Sequence, residues 1–492
     1  MQPWLRVSLL LCVFGFFREL RVSEPFVTEF LSGEWRDIEP EQLNRDVYPI
    51  GTYSQVALLV FVFLLTDILR YKSIIVFSAC LGIVIWSLLL WTESLAALQV
   101  VQVLYGAYMA SEVAYYTYIY AKISREKYQQ VTGNTRAAIL LGRFLSGVIS
   151  QVLVSTGAMN VRDLNYITLG TQAFSLLWSF LLPPVKTSVY FYSRESAKQP
   201  AVEEHGKPYT VERASVTSSH RQDLQENGGA PEPAQNNTNT DTMDVAKNAD
   251  NAELRPKVRF SGSRAVRLLW RHLIGAYRQL PVVQWSLWWA LAMAGFIQVQ
   301  VYVQLLWHEI DQDQDTLFNG GAEALLTLLG ALSALVAGYV ANRIFEQWAL
   351  WILTVCSGLQ GGLILYSGFA TNVWVAYALY ILFGTLYLFM ITMASAIVAK
   401  YLEEDSFGLI FGINTFVAIG VQALLTLATI SERGLMLDPR DQFKVYGGYF
   451  LVLSIIYLIA AVVTAVLRML RGASTNPTAT APNLATATQA TA

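Results

Sequence analysis

A chain of 492 residues that is 54% hydrophobic, 13% aromatic and only 14% charged carries more apolar surface than a soluble domain can bury. Its net charge of −2 excludes a global field directed at nucleic acid or at an acidic partner. Cys12, Cys80 and Cys356 lie inside apolar runs, and the four histidines show no metal-ligand spacing, so neither a metal centre nor a cysteine or histidine nucleophile is expected.

A helix crosses the hydrocarbon core with about 20 apolar residues. Stretches of that kind fall near 8–31, 50–69, 73–92, 95–122, 134–158 and 163–184, then near 281–307, 319–341, 347–369, 372–399, 406–430 and 443–469. The pattern predicts an all-α membrane protein of twelve transmembrane helices in two six-helix halves, 1–185 and 278–470. The run from Leu5 to Phe17 lacks the basic flank and cleavage site of a signal peptide, and reads as part of a retained first span.

Alternate loops differ in charge. Arg70 and Lys72, Lys122, Arg125 and Lys127, Arg343, Lys400, and Arg468 with Arg471 fall on one side. Glu34, Asp37, Glu39 and Glu41, and Glu309, Asp311, Asp313 and Asp315, fall on the other. Because positively charged loops stay inside, both termini and the central segment 186–277 are expected to be cytoplasmic.

Within that segment, 200–254 is too polar to bury a core and reads as a disordered linker. From Arg255 to Arg278 there are seven cations and no acid, interleaved with Leu268, Leu269, Trp270, Leu273 and Ile274. Such a stretch suits an amphipathic helix on anionic lipid; the alternative is a solvated run that only enforces topology. Residues 471–492 read as a disordered tail. A weak internal echo links Asp67 and Arg70, closing the second span, with Asn342 and Arg343, closing the eighth.

An ionised side chain at the bilayer centre costs about 2.5–3.5 kcal/mol on insertion scales, so each one inside a span needs a partner or a task. Arg18, Glu19, Arg21 and Glu24 sit in the first span, and Pro25 is expected to break the helix beside Glu24. At helical spacing Tyr105, Tyr108, Glu112 and Tyr115 or Tyr116 share one stripe. A carboxylate among π faces suits an aromatic organic cation; equally, Glu112 is a structural partner for an arginine. Arg143 is the expected neutraliser of Glu112 or Glu24, or a contact for an anionic substrate. Glu323 and Asn414 read first as structural groups, with gating or proton coupling as the alternative shared with Asp67.

These residues carry a resemblance to the folate and thiamine carriers, solute carrier family 19, of the major facilitator superfamily. The matching stretches are Ser23-Glu24-Pro25-Phe26, Leu65-Thr66-Asp67-Ile68-Leu69-Arg70, Glu112-Val113-Ala114-Tyr115-Tyr116, Trp285-Ser286-Leu287-Trp288-Trp289, Phe318-Asn319-Gly320-Gly321-Ala322-Glu323 and Phe411-Gly412-Ile413-Asn414-Thr415-Phe416. The resemblance implies a plasma-membrane carrier, not an enzyme, that needs no cofactor and takes a small-molecule substrate by alternating access.

It is closest to the thiamine transporters, which have Glu-Val/Ile-Ala-Tyr-Tyr in the fourth span, whereas reduced folate carriers have Arg-Ile-Ala-Tyr. Folate carriers also have an arginine where Gly384 stands and a lysine where Gln422 stands. The resemblance thus implies thiamine, with Glu24 and Glu112 on its aminopyrimidine, Tyr115 stacked upon it, and Tyr48, Gly51, Tyr116 and Val301 nearby. Vertebrate thiamine transporters have tryptophan at the position of Gly51 and asparagine at that of Val301, so pyridoxine or another organic cation stays open; a reduced-folate carrier, which Gly384 and Gln422 oppose, is the runner-up, and a non-transporting membrane receptor is the least expected.

Overall fold

The computed structural model describes residues 2–185 except 34, 37, 70 and 124–126, the pairs 192–193 and 259–260, and residues 262–474 except 312–317, 340–346, 403–406 and 432–433. The expected linker at 200–254, the residues after 474, the echo at Arg70, Asn342 and Arg343, and the side chain of Asp67 lie outside the described residues.

With no water in the hydrocarbon core, each backbone N–H and C=O must be satisfied within the chain, and helices do this locally. They are α1 (Pro3–Glu19), α2 (Val27–Ser32), α3 (Tyr48–Ile68), α4 (Lys72–Trp91), α5 (Leu95–Ala110), α6 (Glu112–Lys122), α7 (Tyr128–Ser155) and α8 (Leu164–Ser179). Then follow α9 (Gly262–Tyr277), α10 (Leu280–Ile310), α11 (Asn319–Tyr339), α12 (Ala349–Ser367), α13 (Val373–Tyr401), α14 (Phe407–Thr429) and α15 (Pro439–Ser474).

Nine of these, among the described residues, are long and apolar enough to cross a membrane: α3, α4, α7 and α10 to α15. At the other three expected positions the chain is helical but broken or short. The first span is α1 and α2 with an irregular stretch between them, the fourth is divided into α5 and α6, and the sixth, α8, has 16 residues. The last helix continues to Ser474, past the expected boundary at 470.

Packing repeats between the halves. In the first, α1 packs on α7, α3 on α5, and α4 on α8; in the second, α10 packs on α14, α11 on α13, and α12 on α15. These are the same three pairings in the same order, the signature of two parallel six-helix repeats. Across the halves α7 packs on α11 and α3 on α14, again equivalent positions.

The α7–α11 crossing is close because both helices offer glycine. A Cβ on Gly147 would lie 2.6 Å from the carbonyl oxygen of Gly320 and 2.8 Å from the nitrogen of Ala324, and one on Gly320 would meet Ser150 Oγ at 2.6 Å. Small residues of this kind let helix backbones touch in lipid, where packing drives association.

Hydrogen bonds tie the halves at the end of the helices that carries residues 38–47. Asn319 Nδ2 donates to Glu29 Oε1 at 2.7 Å, Gly321 N to Gln151 Oε1 at 2.9 Å, and Gln442 Nε2 to Asn44 Oδ1 at 3.1 Å. Gly147→Val is expected to prevent this closure while leaving each half folded. Uptake should fall at least tenfold at normal surface abundance, measured in cells by transport and surface labelling; full activity would show that the close crossing is dispensable.

Candidate substrate site

The site begins at the break in the first span. Pro25 has no N–H, and its ring opposes the carbonyl four residues back, so a regular helix cannot run through it. The break lies one turn ahead of the proline: α1 ends at Glu19, and a single 3₁₀ turn, Glu24–Phe26, leads into α2.

Helix α8 satisfies the freed backbone. Thr171 Oγ1 donates to Leu20 O at 2.8 Å, Gln172 Nε2 to Arg18 O at 3.1 Å, and Ser23 N donates to Thr168 Oγ1 at 3.0 Å. Trp86 Nε1 adds a bond to Ser23 Oγ at 3.0 Å. Irregular backbone at membrane depth is therefore held in protein, as lipid requires.

Around the break the charges form one network. Glu19 is buried and receives Arg18, Arg21 and Arg143, each at 2.8 Å. Arg143 thus pairs with Glu19, neither with Glu24 nor with Glu112 as expected, because α1 packs along α7 and brings the end of α1 beside it. Glu24 is bonded by Arg21 and accepts Tyr105 Oη at 2.7 Å, and its side chain stays 35% exposed. Arg18 also lies over the ring of Tyr108, 4.5 Å from its centroid.

Glu112 interacts electrostatically with Arg18 and Arg143. From the second half, Glu323 interacts with Arg143 and Glu24 and accepts Tyr380 Oη at 2.7 Å. Gln304 Nε2 reaches the backbone oxygen of Glu24 at 3.0 Å. Both halves therefore face one cluster of three arginines and four glutamates.

Of the two tyrosines that could complete the stripe, Tyr116 stays with Glu112 and Tyr115 turns away. Ser111 Oγ donates to Ala107 O at 2.7 Å, at the single residue that separates α5 from α6. Tyr105 faces Glu24, but Tyr115 does not join it: it is 2% exposed, packs against Phe14 at 5.7 Å, and donates to Leu11 O at 2.8 Å. A stacking wall needs an open face, so the role expected for Tyr115 is not available in this conformation, and Tyr105 holds the place beside the carboxylate. Tyr116 is partly exposed beside Tyr115 and interacts with Glu112 and Arg143.

The remaining expected residues sort by place. Tyr48 bonds Thr28 at 2.9 Å and meets Tyr302 edge-on across the halves, at the closed end with Glu29. Gly51 is buried, and a Cβ there would lie 2.6 Å from Gln102 Oε1, so Gln102 fills the space beside it. Val301 is partly buried in α10. Asn414 accepts Tyr277 Oη at 2.9 Å and donates to Ser286 Oγ at 3.2 Å, joining α9, α14 and α10. Glu19, Arg21, Tyr105 and Gln304 belong to the site although none stood among the expected substrate contacts.

Removing Glu19 leaves three arginines around a missing charge. Glu19→Gln is expected to cost about 3–5 kcal/mol of stability, read as a lower melting temperature of the purified carrier. Arg143→Gln in the same chain should recover part of that loss; additive losses would refute the network.

Known proteins place this geometry. The reduced folate carrier family matches residues 2–445. Human thiamine transporter 2 is 34% identical over 459 residues, 93% of this chain and 90% of its own. The human reduced folate transporter is 32% identical over 478 residues, 96% of this chain and 74% of its own, and Caenorhabditis elegans folate transporter 1 is 32% identical, with 93% and 92% covered. Among solved structures, the nucleoside transporter NupG aligns with TM-score 0.54 at 12% identity over 92% of this chain and 98% of that one. A bacterial homologue of the human lysosomal transporter Spinster aligns at 0.56 and 10% identity, covering 94% and 97%. With a match along nearly its whole length and two repeated halves of the major facilitator fold, the chain belongs to the reduced folate carrier family of membrane transporters.

Proposed function

We propose that this carrier moves thiamine across the plasma membrane, with both termini cytoplasmic. The observation that carries the reading is the partly open carboxylate of Glu24, bonded by Arg21 and Tyr105 with 35% of its side chain exposed. An open carboxylate beside an aromatic ring suits a ligand with a single permanent cation, because a wrong-sign charge in a low-dielectric cavity is costly. Glu24 accepts the amino group of an aminopyrimidine, Tyr105 lines the same pocket, and Glu112 supplies the compensating charge.

Two positions oppose a dicarboxylate. Gly384 is packed so closely that a Cβ would lie 2.4 Å from Leu326 Cδ1, and Gln422 is a buried neutral amide. The relatives include both thiamine and folate transporters, so family membership leaves the choice to these residues.

A second reading, an organic anion such as folate, draws on α7. Arg136 is exposed two turns before Arg143 and interacts with Tyr116 of one half and Tyr387 of the other. Uptake of labelled thiamine, pyridoxine and folate by cells expressing the chain separates the readings. Thiamine should enter, and Glu112→Gln should lower its uptake at least tenfold while leaving surface abundance unchanged. Entry of folate alone would establish the second reading, and pyridoxine entering without thiamine would reassign the cation.

A further inference from the structure

Helix α9 precedes the second half and carries a charged face that the candidate site does not use. Its sequence puts Arg264, Arg267 and Arg271 on one stripe, at spacings of three and four, and Val266, Leu269, Trp270, Leu273 and Tyr277 on another. The structure divides the apolar residues. Ala276 is buried and Leu273 and Tyr277 are partly buried against α10 and α14, whereas Trp270 is 63% exposed and Ile274 is exposed beside it. Arg267 and Arg271 are exposed next to these two, and Leu280, at the start of α10, continues the open apolar surface toward the spans.

We propose that α9 is a binding surface for anionic phospholipid of the adjacent leaflet, with Trp270 and Ile274 entering the interface and Arg267 and Arg271 holding phosphate. Charge complementarity identifies the occupant: seven cations and no acid between Arg255 and Arg278 give an anionic headgroup no repulsive neighbour within the segment. Continuity identifies the depth. Exposed Trp270, Ile274 and Leu280 lead directly into a helix that crosses the membrane, so lipid is what meets them.

The surface is wired to the moving parts. Tyr277 donates to Asn414 of α14, which bonds Ser286 of α10, and Gln279 Nε2 donates to Tyr401 O at the end of α13 at 3.0 Å. Helix α14 packs on α3 of the opposite half, so lipid held on α9 bears on the contact across which the halves rock.

The test uses the full-length transporter in detergent, offered phosphatidylserine or phosphatidylcholine and examined by native mass spectrometry. Wild type should retain phosphatidylserine well above phosphatidylcholine. Each arginine near the headgroups contributes about fivefold, so Arg267→Gln with Arg271→Gln should lower that preference about 25-fold. Arg267→Lys with Arg271→Lys should keep most of it, and equal melting temperatures show that the variants fold. Equal retention of both lipids by wild type, or an unchanged preference in the glutamine variant, overturns the proposal. Neither readout depends on the identity of the transported substrate.

Discussion

The burial of Glu19 among three arginines is the constraint on which the candidate site depends. Arg18 and Arg21 are buried, and each guanidinium taken alone from water into the protein would cost several kcal/mol; Glu19, with Glu24 on Arg21, offsets that cost, while Arg143 reaches Glu19 from a partly exposed position. Two of the arginines flank Glu19 on the first span and the third comes from α7, so satisfying the carboxylate fixes the end of α1 against α7. The break that follows is then held in place, with α8 closing the freed backbone groups. Glu24 emerges from that rigid base with part of its carboxylate open, one turn beyond the paired charges. A buried ion network adds little net stability compared with apolar packing; its contribution here is the position of Glu24.

How far the sequence reached follows from the kind of signal each feature has. Length and hydropathy reported nine of the helices among the described residues, because a span of about 20 predominantly apolar residues is what the hydrocarbon core demands. The fourth span needed a finer reading. At 3.6 residues per turn Tyr116 falls about 20° from the line of Tyr105, and Tyr115 about 80° from it, so Tyr105 faces Glu24 while Tyr115 turns to Leu11 and Phe14. The partner of Arg143 was hidden for another reason: Glu19, Glu24 and Glu112 are chemically alike, and only the packing of α1 on α7 selects among them. At Gly51 the reverse holds, because the missing side chain was visible in sequence while its filling by Gln102 is a tertiary fact.

The same turn that presents Glu24 to the site also belongs to the closure between the halves. Gln304 of α10 donates to the backbone oxygen of Glu24 and accepts from Thr28 N at 3.1 Å, so one amide spans the 3₁₀ turn and the start of α2. One residue further, Glu29 bonds Asn319, which also accepts Tyr377 Oη at 2.7 Å. A ligand moves a two-state equilibrium only by contacting the two states differently. Here the difference has a physical route: a ligand that draws the Glu24 carboxylate away from Arg21 and Tyr105 pulls on the turn that Gln304 holds. The carboxylate and the closure share four residues of backbone, so on the proposed reading a ligand at Glu24 has a short route to the closure. In the second half Glu323, bonded to Tyr380, stands one turn beyond Asn319 on α11, so both sides of the site lie within a turn or two of the closure. That proximity is what a carrier built from two rocking halves requires, since the site must sense which end is shut.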